Sequence, residues 1–227
     1  MIICDKRLPS PVRHRLSMLD FLIELSTNNI TYPAISGHPD VFFCKIDDVV
    51  VVSPALPRQY CDLLTQQQVN WKFGTQPSTS TYPGSAIYNA VVTDTLLIHN
   101  LQITDPSIKE LIGNRKQIHV NQGYTRCNLL PLPNDCFITS DKAISTVLTH
   151  EGFDVLLINP AGILLQGFPN GFIGGVCGIK ESDVFIAGSL KAYPEGSKMM
   201  EFLVHHSLTA IELYDGPLID GGSIFFF

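Results

Sequence analysis

The fold is decided where the sequence ends, in the stretch IDGGSIFFF at residues 219–227. Its apolar second half predicts a β-strand that has no partner nearby in the sequence. Residues 1–26 supply the missing parts, because they predict a strand, a helix over 11–19 that begins near Pro11, and a second strand. We therefore expect residues 218–227 and 1–26 to form one unit together, which leaves few sheet edges exposed.

The remaining sequence repeats a similar pattern at intervals of roughly 40 to 50 residues, as repeat architectures do. Each repeat predicts a strand, a polar turn, a second strand, a helix and a third strand. The predicted units lie near 38–73, 84–120, 123–158 and 171–214, and the fifth is 218–227 plus 1–26. We expect an α/β fold, a five-unit pseudo-symmetric propeller in one domain spanning residues 1–227. The alternative is an ordinary α/β sandwich with a mixed sheet, and residues 159–170 predict an inserted hairpin or loop.

The predicted helices share an apolar triplet spaced i, i+3, i+4, which places one stripe on one side of a helix. Four units have this spacing, in Tyr60/Leu63/Leu64, Ile108/Leu111/Ile112, Ile144/Val147/Leu148 and Met199/Phe202/Leu203, and the predicted helix near the start carries Val12/Leu16/Leu19. A helix that lies on a sheet needs such a stripe. The recurrence at one place in each unit favours the repeat.

Composition excludes several classes of partner. The formal net charge is −6 and no cluster of lysine and arginine occurs, which argues against nucleic-acid binding. No apolar run reaches the roughly 18 residues of a membrane span, and the start does not read as a secretion signal, so we expect a cytoplasmic protein. Six cysteines without a CxxC pair predict free thiols. The apolar composition also allows a homo-oligomer.

Several short motifs resemble those of the penteins, the guanidino-group-modifying enzymes. DGGSIFF at residues 220–226 resembles the GGGGIHC strand of agmatine deiminases, and GFIG at 171–174 lies where those enzymes carry GHID or GHVD. The chain also resembles a poorly characterised bacterial group assigned to this fold, through GHPD at 37–40, ITSDK at 138–142 and GFIGG at 171–175. The resemblance implies a ring of five strand–strand–helix–strand units.

The same resemblance implies that the usual catalytic residues are replaced. Phe226 stands at the position of the nucleophilic cysteine, Phe172 at that of the proton-shuttling histidine, and Gly174 at that of the acid that grips the guanidinium. A phenyl ring can neither attack a carbon nor move a proton. We therefore expect a pentein-like protein that is not a hydrolase of the usual kind.

Two sets of residues remain candidates for a site. The predicted first strands carry short polar residues that could bind a ligand in a central channel. These are Asp40, Asn89, Asn128 and Asp220. The alternative is that they bond backbone groups at turns and strand ends.

A catalytic group could also form from His38 and Asp40 with a cysteine across the channel, either Cys127 or Cys177. The alternative is that His38 is a turn residue. The other histidines lack metal-ligand spacing and the glycines do not form a dinucleotide fingerprint, so we expect no metal and no cofactor. The sequence thus predicts a protein that binds a small polar ligand or a protein partner. The alternative is a divergent guanidino-group hydrolase or amidinotransferase that uses His38, Asp40 and a non-terminal cysteine.

Overall fold

The computed structural model describes residues 1–227 and has a mixed α/β architecture. Its strands are β1 (Ile2–Asp5), β2 (Leu22–Leu25), β3 (Phe43–Ile46), β4 (Val49–Val52), β5 (Asn70–Phe73), β6 (Val91–Val92), β7 (Leu96–His99), β8 (Lys116–His119), β9 (Leu129–Leu132), β10 (Cys136–Thr139), β11 (Val155–Leu157), β12 (Ile163–Leu164), β13 (Cys177–Lys180), β14 (Asp183–Ile186), β15 (Thr209–Glu212), β16 (Leu218–Ile219) and β17 (Phe225–Phe226).

The helices are short, and the longest has ten residues. They are α1 (Ser10–Ser17), α2 (Arg58–Gln66), α3 (Pro106–Leu111), α4 (Thr125–Asn128), α5 (Lys142–His150), α6 (Ile173–Val176) and α7 (Gly196–His205), with 3-10 helices at Pro33–Ile35, Pro39–Val41, Pro133–Asp135 and Leu190–Ala192. None of them combines the length and the hydrophobicity that crossing a bilayer requires.

Five three-stranded sheets share one strand order. In each, the first strand is antiparallel to the second and the second is parallel to the third. The sheets are β3-β4-β5, β6-β7-β8, β9-β10-β11, β13-β14-β15 and β17-β1-β2. A helix connects each parallel pair, because parallel strands need a crossover. The strands therefore form separate small sheets and not one mixed sheet.

Both ends of the sequence lie in one of these sheets, as predicted. Strand β17 pairs with β1, with Phe226 opposite Ile2 and Phe225 opposite Ile3. The amino group of Met1 donates a hydrogen bond to the carbonyl oxygen of Phe227 at 3.2 Å. Residues 1–26 and the terminal strand therefore complete one sheet together.

The helix stripes face the core as the spacing predicts. In α2, α3, α5 and α7 the i and i+4 members of the triplet are buried and the i+3 member is partly exposed. In α1, Val12 and Leu16 are buried, whereas Leu19 lies beyond the end of the helix and is exposed. The first helix ends at Ser17, two residues earlier than predicted. The predicted insertion at 159–170 contains β12, which pairs in parallel with β16 in a separate two-stranded sheet.

In four units the first strand begins later in the sequence than the sequence analysis predicts. A tight turn of helical geometry precedes each strand: the 3-10 helix Pro39–Val41, a turn over residues 82–88, α4 and α6. Backbone hydrogen bonds close these turns, for example from Phe42 to the carbonyl of Pro39 at 2.9 Å. Asp40, Asn89 and Asn128 therefore lie in or beside these turns and not within strands, which corrects the sequence-based placement.

Candidate functional site

Five chain segments, each preceding the first strand of a three-stranded sheet, meet in a group of buried polar residues. We call these five residues the central polar cluster. They are Asp40, Asn89, Cys127, Gly174 and Ser223. Asp40 forms hydrogen bonds with three of the others, and the hydroxyl oxygen of Ser223 also lies 3.0 Å from the carbonyl oxygen of Gly174. The hydrogen bonds of this cluster thus connect all five sheets.

Asp40 is the centre of this cluster and is fully buried. Its Oδ2 accepts a hydrogen bond from the thiol of Cys127 at 2.9 Å and another from the hydroxyl of Ser223 at 3.0 Å. Its Oδ1 has no hydrogen-bond partner. Burial raises the pKa of this carboxyl, and the hydrogen bond from Cys127 and the charge of Arg126 offset part of that rise.

The two asparagines among the predicted ligand-binding residues bond to protein groups. The Nδ2 of Asn89 donates to the carbonyl of Asp40 at 3.1 Å, and its Oδ1 accepts from the backbone N–H of Cys127 at 3.0 Å. The Nδ2 of Asn128 donates to the carbonyl of Tyr124 at 3.0 Å, within its own helical turn. Both amides therefore hold backbone segments in place.

The structure brings three of the four catalytic candidates together. His38, Asp40 and Cys127 each have a donor atom within 4.8 Å of the other two. Cys177 lies outside this group, is buried in the hydrophobic core, and has a pKa raised to about 12 by burial. Burial and the nearby carboxylate of Asp40 also raise the pKa of Cys127 well above its ordinary value. Both thiols are therefore protonated at neutral pH.

A pocket of about 390 Å³ opens beside this cluster. We call it the polar pocket, because its base is formed by Asp5, His38 and Asp220, three side chains that are almost completely buried. Its wall is largely apolar and includes the exposed side chains of Leu164 and Phe168 from the β12 segment. A volume of this size suits a small molecule.

His38 lies between two carboxylates at the base of the polar pocket. Its Nε2 is 3.9 Å from Asp5 and its Nδ1 is 3.9 Å from Asp220. These distances are too long for hydrogen bonds, and Nδ1 has no hydrogen-bond partner. Burial lowers the pKa of this imidazole, and the two carboxylates oppose that effect.

Asp220 is positioned by backbone groups. Its two oxygens accept hydrogen bonds from the N–H groups of Gly222 at 3.0 Å and Phe172 at 2.9 Å. Glycine at position 175 gives it room, since a Cβ there would lie 1.9 Å from Oδ1 of Asp220. Burial raises the pKa of this carboxyl, and neighbouring Asp40 adds to the rise.

Two residues of the site, Asp5 and Ser223, were not predicted. Asp5 accepts hydrogen bonds from the backbone N–H and the guanidinium of Arg7, and Ser223 donates to Asp40. The signal for Asp5 was a charged residue directly after the apolar run at residues 1–4. Ser223 stood within a stretch matched to glycines, and nothing in the sequence marked its hydroxyl.

The two phenylalanines at the expected catalytic positions have different surroundings. The ring of Phe226 packs against Phe185 with centroids 4.7 Å apart and lies outside the polar pocket. Phe172 contributes its backbone N–H to Asp220. No cysteine or histidine lies in β17. The thiol and imidazole that the resemblance would require are therefore absent from these positions.

Comparisons with solved structures identify the fold. The chain is similar to SxtG, an amidinotransferase of the saxitoxin biosynthetic pathway from Microseira wollei, with a TM-score of 0.56 and 11% identity over 95% of this chain and 78% of that one. It is also similar to the inosamine-phosphate amidinotransferase of Streptomyces griseus, with a TM-score of 0.56 and 11% identity over 94% of this chain and 77% of that one. The protein therefore has the pentein fold of these amidinotransferases, as the motifs implied.

Sequence comparison gives the family. No curated protein matches the sequence significantly. One family model matches residues 3–225, almost the whole chain. The protein therefore belongs to the family of unknown function DUF6873.

Proposed function

We propose that this protein is a five-unit α/β propeller that binds a small, positively charged ligand in the polar pocket and does not hydrolyse guanidino groups. One observation carries the binding function. The carboxylate of Asp220 is buried at the base of the pocket, and its hydrogen bonds come from two backbone N–H groups and from no lysine or arginine. The propeller is supported by the five sheets of equal strand order and by the hydrogen bonds that join them at the central polar cluster.

A cationic ligand would supply what this carboxylate lacks. A buried anion is unfavourable unless it is paired and hydrogen-bonded. An ammonium or guanidinium group offers both a positive charge and several N–H donors. Asp5 is already occupied by Arg7, so Asp220 is the acid available to a ligand. The apolar wall near Leu164 and Phe168 suits a short hydrocarbon portion on the same ligand.

The absence of guanidino hydrolysis is supported by the state of the thiols. Cysteine attacks as a thiolate, which requires a lowered pKa. Burial raises the pKa of all six cysteines, to about 12 for Cys4, Cys44 and Cys177 and to about 11 for Cys136. Phe226 and Phe172 at the matched positions support the same conclusion.

The second candidate is a divergent guanidino-group hydrolase or amidinotransferase. It is favoured by one observation, the proximity of His38, Asp40 and Cys127. In such an enzyme the thiol of Cys127 would have to lose its proton beside the carboxylate that accepts its hydrogen bond. A neighbouring negative charge disfavours this ionisation, so we place this candidate second.

The proposed function is tested by calorimetric and thermal-shift titration with amines and guanidines. Arginine and citrulline form a matched pair, because they differ in charge at the side-chain head group and are close in size. We expect a cationic ligand to stabilise the protein by about 3 kcal/mol at one hundred times its Kd, and its uncharged partner to give no shift.

Two variants locate the binding. Asp220→Asn removes the charge, and Leu164→Lys adds a repelling charge at an exposed position on the pocket wall. Both should abolish the stabilisation, whereas Asp94→Asn, an exposed change elsewhere, should leave it unchanged. Equal binding of charged and uncharged ligands, or full binding by Leu164→Lys, would contradict the proposal.

A further inference from the structure

Three side chains of different chemistry converge below the polar pocket. Asp40 lies in the 3-10 helix Pro39–Val41, His38 directly precedes that helix, and Cys127 lies in α4. One nitrogen, one carboxylate oxygen and one sulfur of these residues lie within 4.8 Å of one another, and all three residues are buried. We propose that His38, Asp40 and Cys127 bind a divalent transition-metal ion of the zinc class. This site goes beyond the binding of a ligand by Asp220.

Two unpartnered atoms in this group support a bound ion. Nδ1 of His38 and Oδ1 of Asp40 are buried without a hydrogen-bond partner. Buried polar atoms in native proteins are nearly always bonded to protein or water, since an unmade bond costs free energy. The other carboxylate oxygen of Asp40 faces the thiol of Cys127 at 2.9 Å, so nitrogen, oxygen and sulfur lone pairs are all available to one ion.

The donor set selects the type of metal. Imidazole, thiolate and carboxylate are the ligands of tetrahedral zinc, and three protein ligands leave a fourth position for water or a small ligand. Magnesium and calcium prefer oxygen ligands, so the sulfur and nitrogen argue against them. Binding replaces the thiol proton of Cys127, which is released to solvent. The thiolate and the carboxylate then balance the two positive charges of the ion.

The surroundings of His38 also suit a metal ligand. Imidazoles that bind metals usually present the other ring nitrogen to a carboxylate or a carbonyl, which fixes the orientation of the ring. Carboxylates stand 3.9 Å from each ring nitrogen of His38, Asp5 on one side and Asp220 on the other. Either one is close enough to bond to the nitrogen that does not hold the ion after a small movement.

Spacing in the sequence does not reveal this site. The cysteine lies 87 residues after the aspartate, and the contact between them depends on the meeting of two sheets. A second group, Asp154 with His205 and His206, lies near the surface and could also hold an ion. The test must therefore separate the two groups.

The experiment uses the double variant His205→Ala/His206→Ala, freed of metal with a chelator and titrated with Zn²⁺ and then Co²⁺. We expect about one equivalent of Zn²⁺ to bind with release of a proton. Co²⁺ should give the visible bands of a tetrahedral site and a thiolate charge-transfer band. Cys127→Ala in the same background should lose the charge-transfer band, and His38→Gln should weaken Zn²⁺ binding by at least about tenfold.

Cys177→Ala is the matched control, because Cys177 is equally buried but outside the group. It should bind Zn²⁺ and Co²⁺ like the background protein. Should Cys127→Ala fail to fold, the cobalt spectrum of the background protein alone decides, since only a thiolate ligand produces the charge-transfer band. Loss of all binding in the double variant, or a cobalt spectrum without that band, would overturn the proposal.

Discussion

The hydroxyl of Ser223 donates a hydrogen bond to the carboxylate of Asp40 at 3.0 Å, across 183 residues of sequence. The same hydroxyl lies 3.0 Å from the carbonyl of Gly174. Ser223 has a φ of +75°, a conformation that disfavours residues with a Cβ. The backbone is therefore strained at Ser223, the residue whose hydroxyl lies close to both the carboxylate of Asp40 and the carbonyl of Gly174.

We predict that Ser223→Ala lowers the free energy of unfolding by about 2 kcal/mol, because a buried carboxylate loses a donor while the strain remains. Ser223→Gly should be about 1 kcal/mol less destabilising than Ser223→Ala, because glycine relieves the strain. Chemical denaturation of both variants measures the difference. Equal stability of the alanine and glycine variants would contradict the account of strain, and a neutral Ser223→Ala would contradict the role of the hydroxyl.

The packing of α6 against α4 gives a second prediction. A Cβ at position 174 would lie 2.0 Å from the carbonyl oxygen of Arg126 and 2.7 Å from that of Cys127, so the backbone of one turn would have to move. We expect Gly174→Ala to lower the free energy of unfolding by about 3 kcal/mol. Gly113→Ala is the control, because it has a positive φ but nothing within 4 Å, and should cost about 1 kcal/mol. An equal decrease in the free energy of unfolding of the two variants would contradict the explanation by a steric clash at position 174.

His99 gives a pH dependence outside the site. It is fully buried, and its Nε2 donates to the carbonyl of Gly123 at 2.8 Å. Burial lowers its pKa from 6.5 to about 4. Between these two values the unfolded chain binds a proton that the folded protein does not, so stability is present above pH 6.5 and is lost as the pH falls towards 4.

The expected loss from this group is about 3 kcal/mol over that interval, because one pKa unit corresponds to about 1.4 kcal/mol. Urea unfolding at a series of pH values measures it. His99→Gln should remove this contribution from the profile, while the contributions of other buried groups remain, and His150→Gln, a change of an exposed histidine, should leave the profile unchanged. A profile that keeps its slope in His99→Gln would assign the pH dependence to other groups.

The thiols give the prediction that separates the two candidate functions. Because all six thiols are buried and burial raises the pKa of each one, iodoacetamide should modify none of them rapidly in the native protein at pH 8. All six should react in denaturant. Mass spectrometry after a timed reaction identifies each site. Rapid, stoichiometric alkylation of Cys127 below pH 7 would favour the enzyme.

Much of the fold could be predicted from the sequence because it depends on local periodicity. The apolar stripes of the helices and the strand-rich stretches recur along the sequence. The assignment of the last strand to a unit with residues 1–26 followed from the lack of any nearer partner, and β17 does pair with β1. The turns before the first strands were missed. Each is only three to seven residues long, which is too short for a helical period to differ from the start of a strand.

The site was less accessible to prediction for a related reason. His38 and Asp40 stood out through the GHPD motif, and Cys127 was one of two cysteines considered. Cys127, and not Cys177, lies beside Asp40 because two segments from different sheets meet there. The order of residues in the sequence does not specify which segments meet. Asp5 looked like the polar end of an apolar strand, although it forms part of the pocket base.

The close approach of α4 and α6 also limits how this protein can change during evolution. An acid at position 174, where the resemblance places the guanidinium-binding residue, needs space that the carbonyl of Arg126 already fills. Exchange of Phe172, Gly174 and Phe226 for the corresponding enzyme residues would therefore leave the acid without room. A variant could accommodate an acid at this position only after a rearrangement of the main chain at the junction of two sheets, so the constraint lies in the backbone as well as in the side chains.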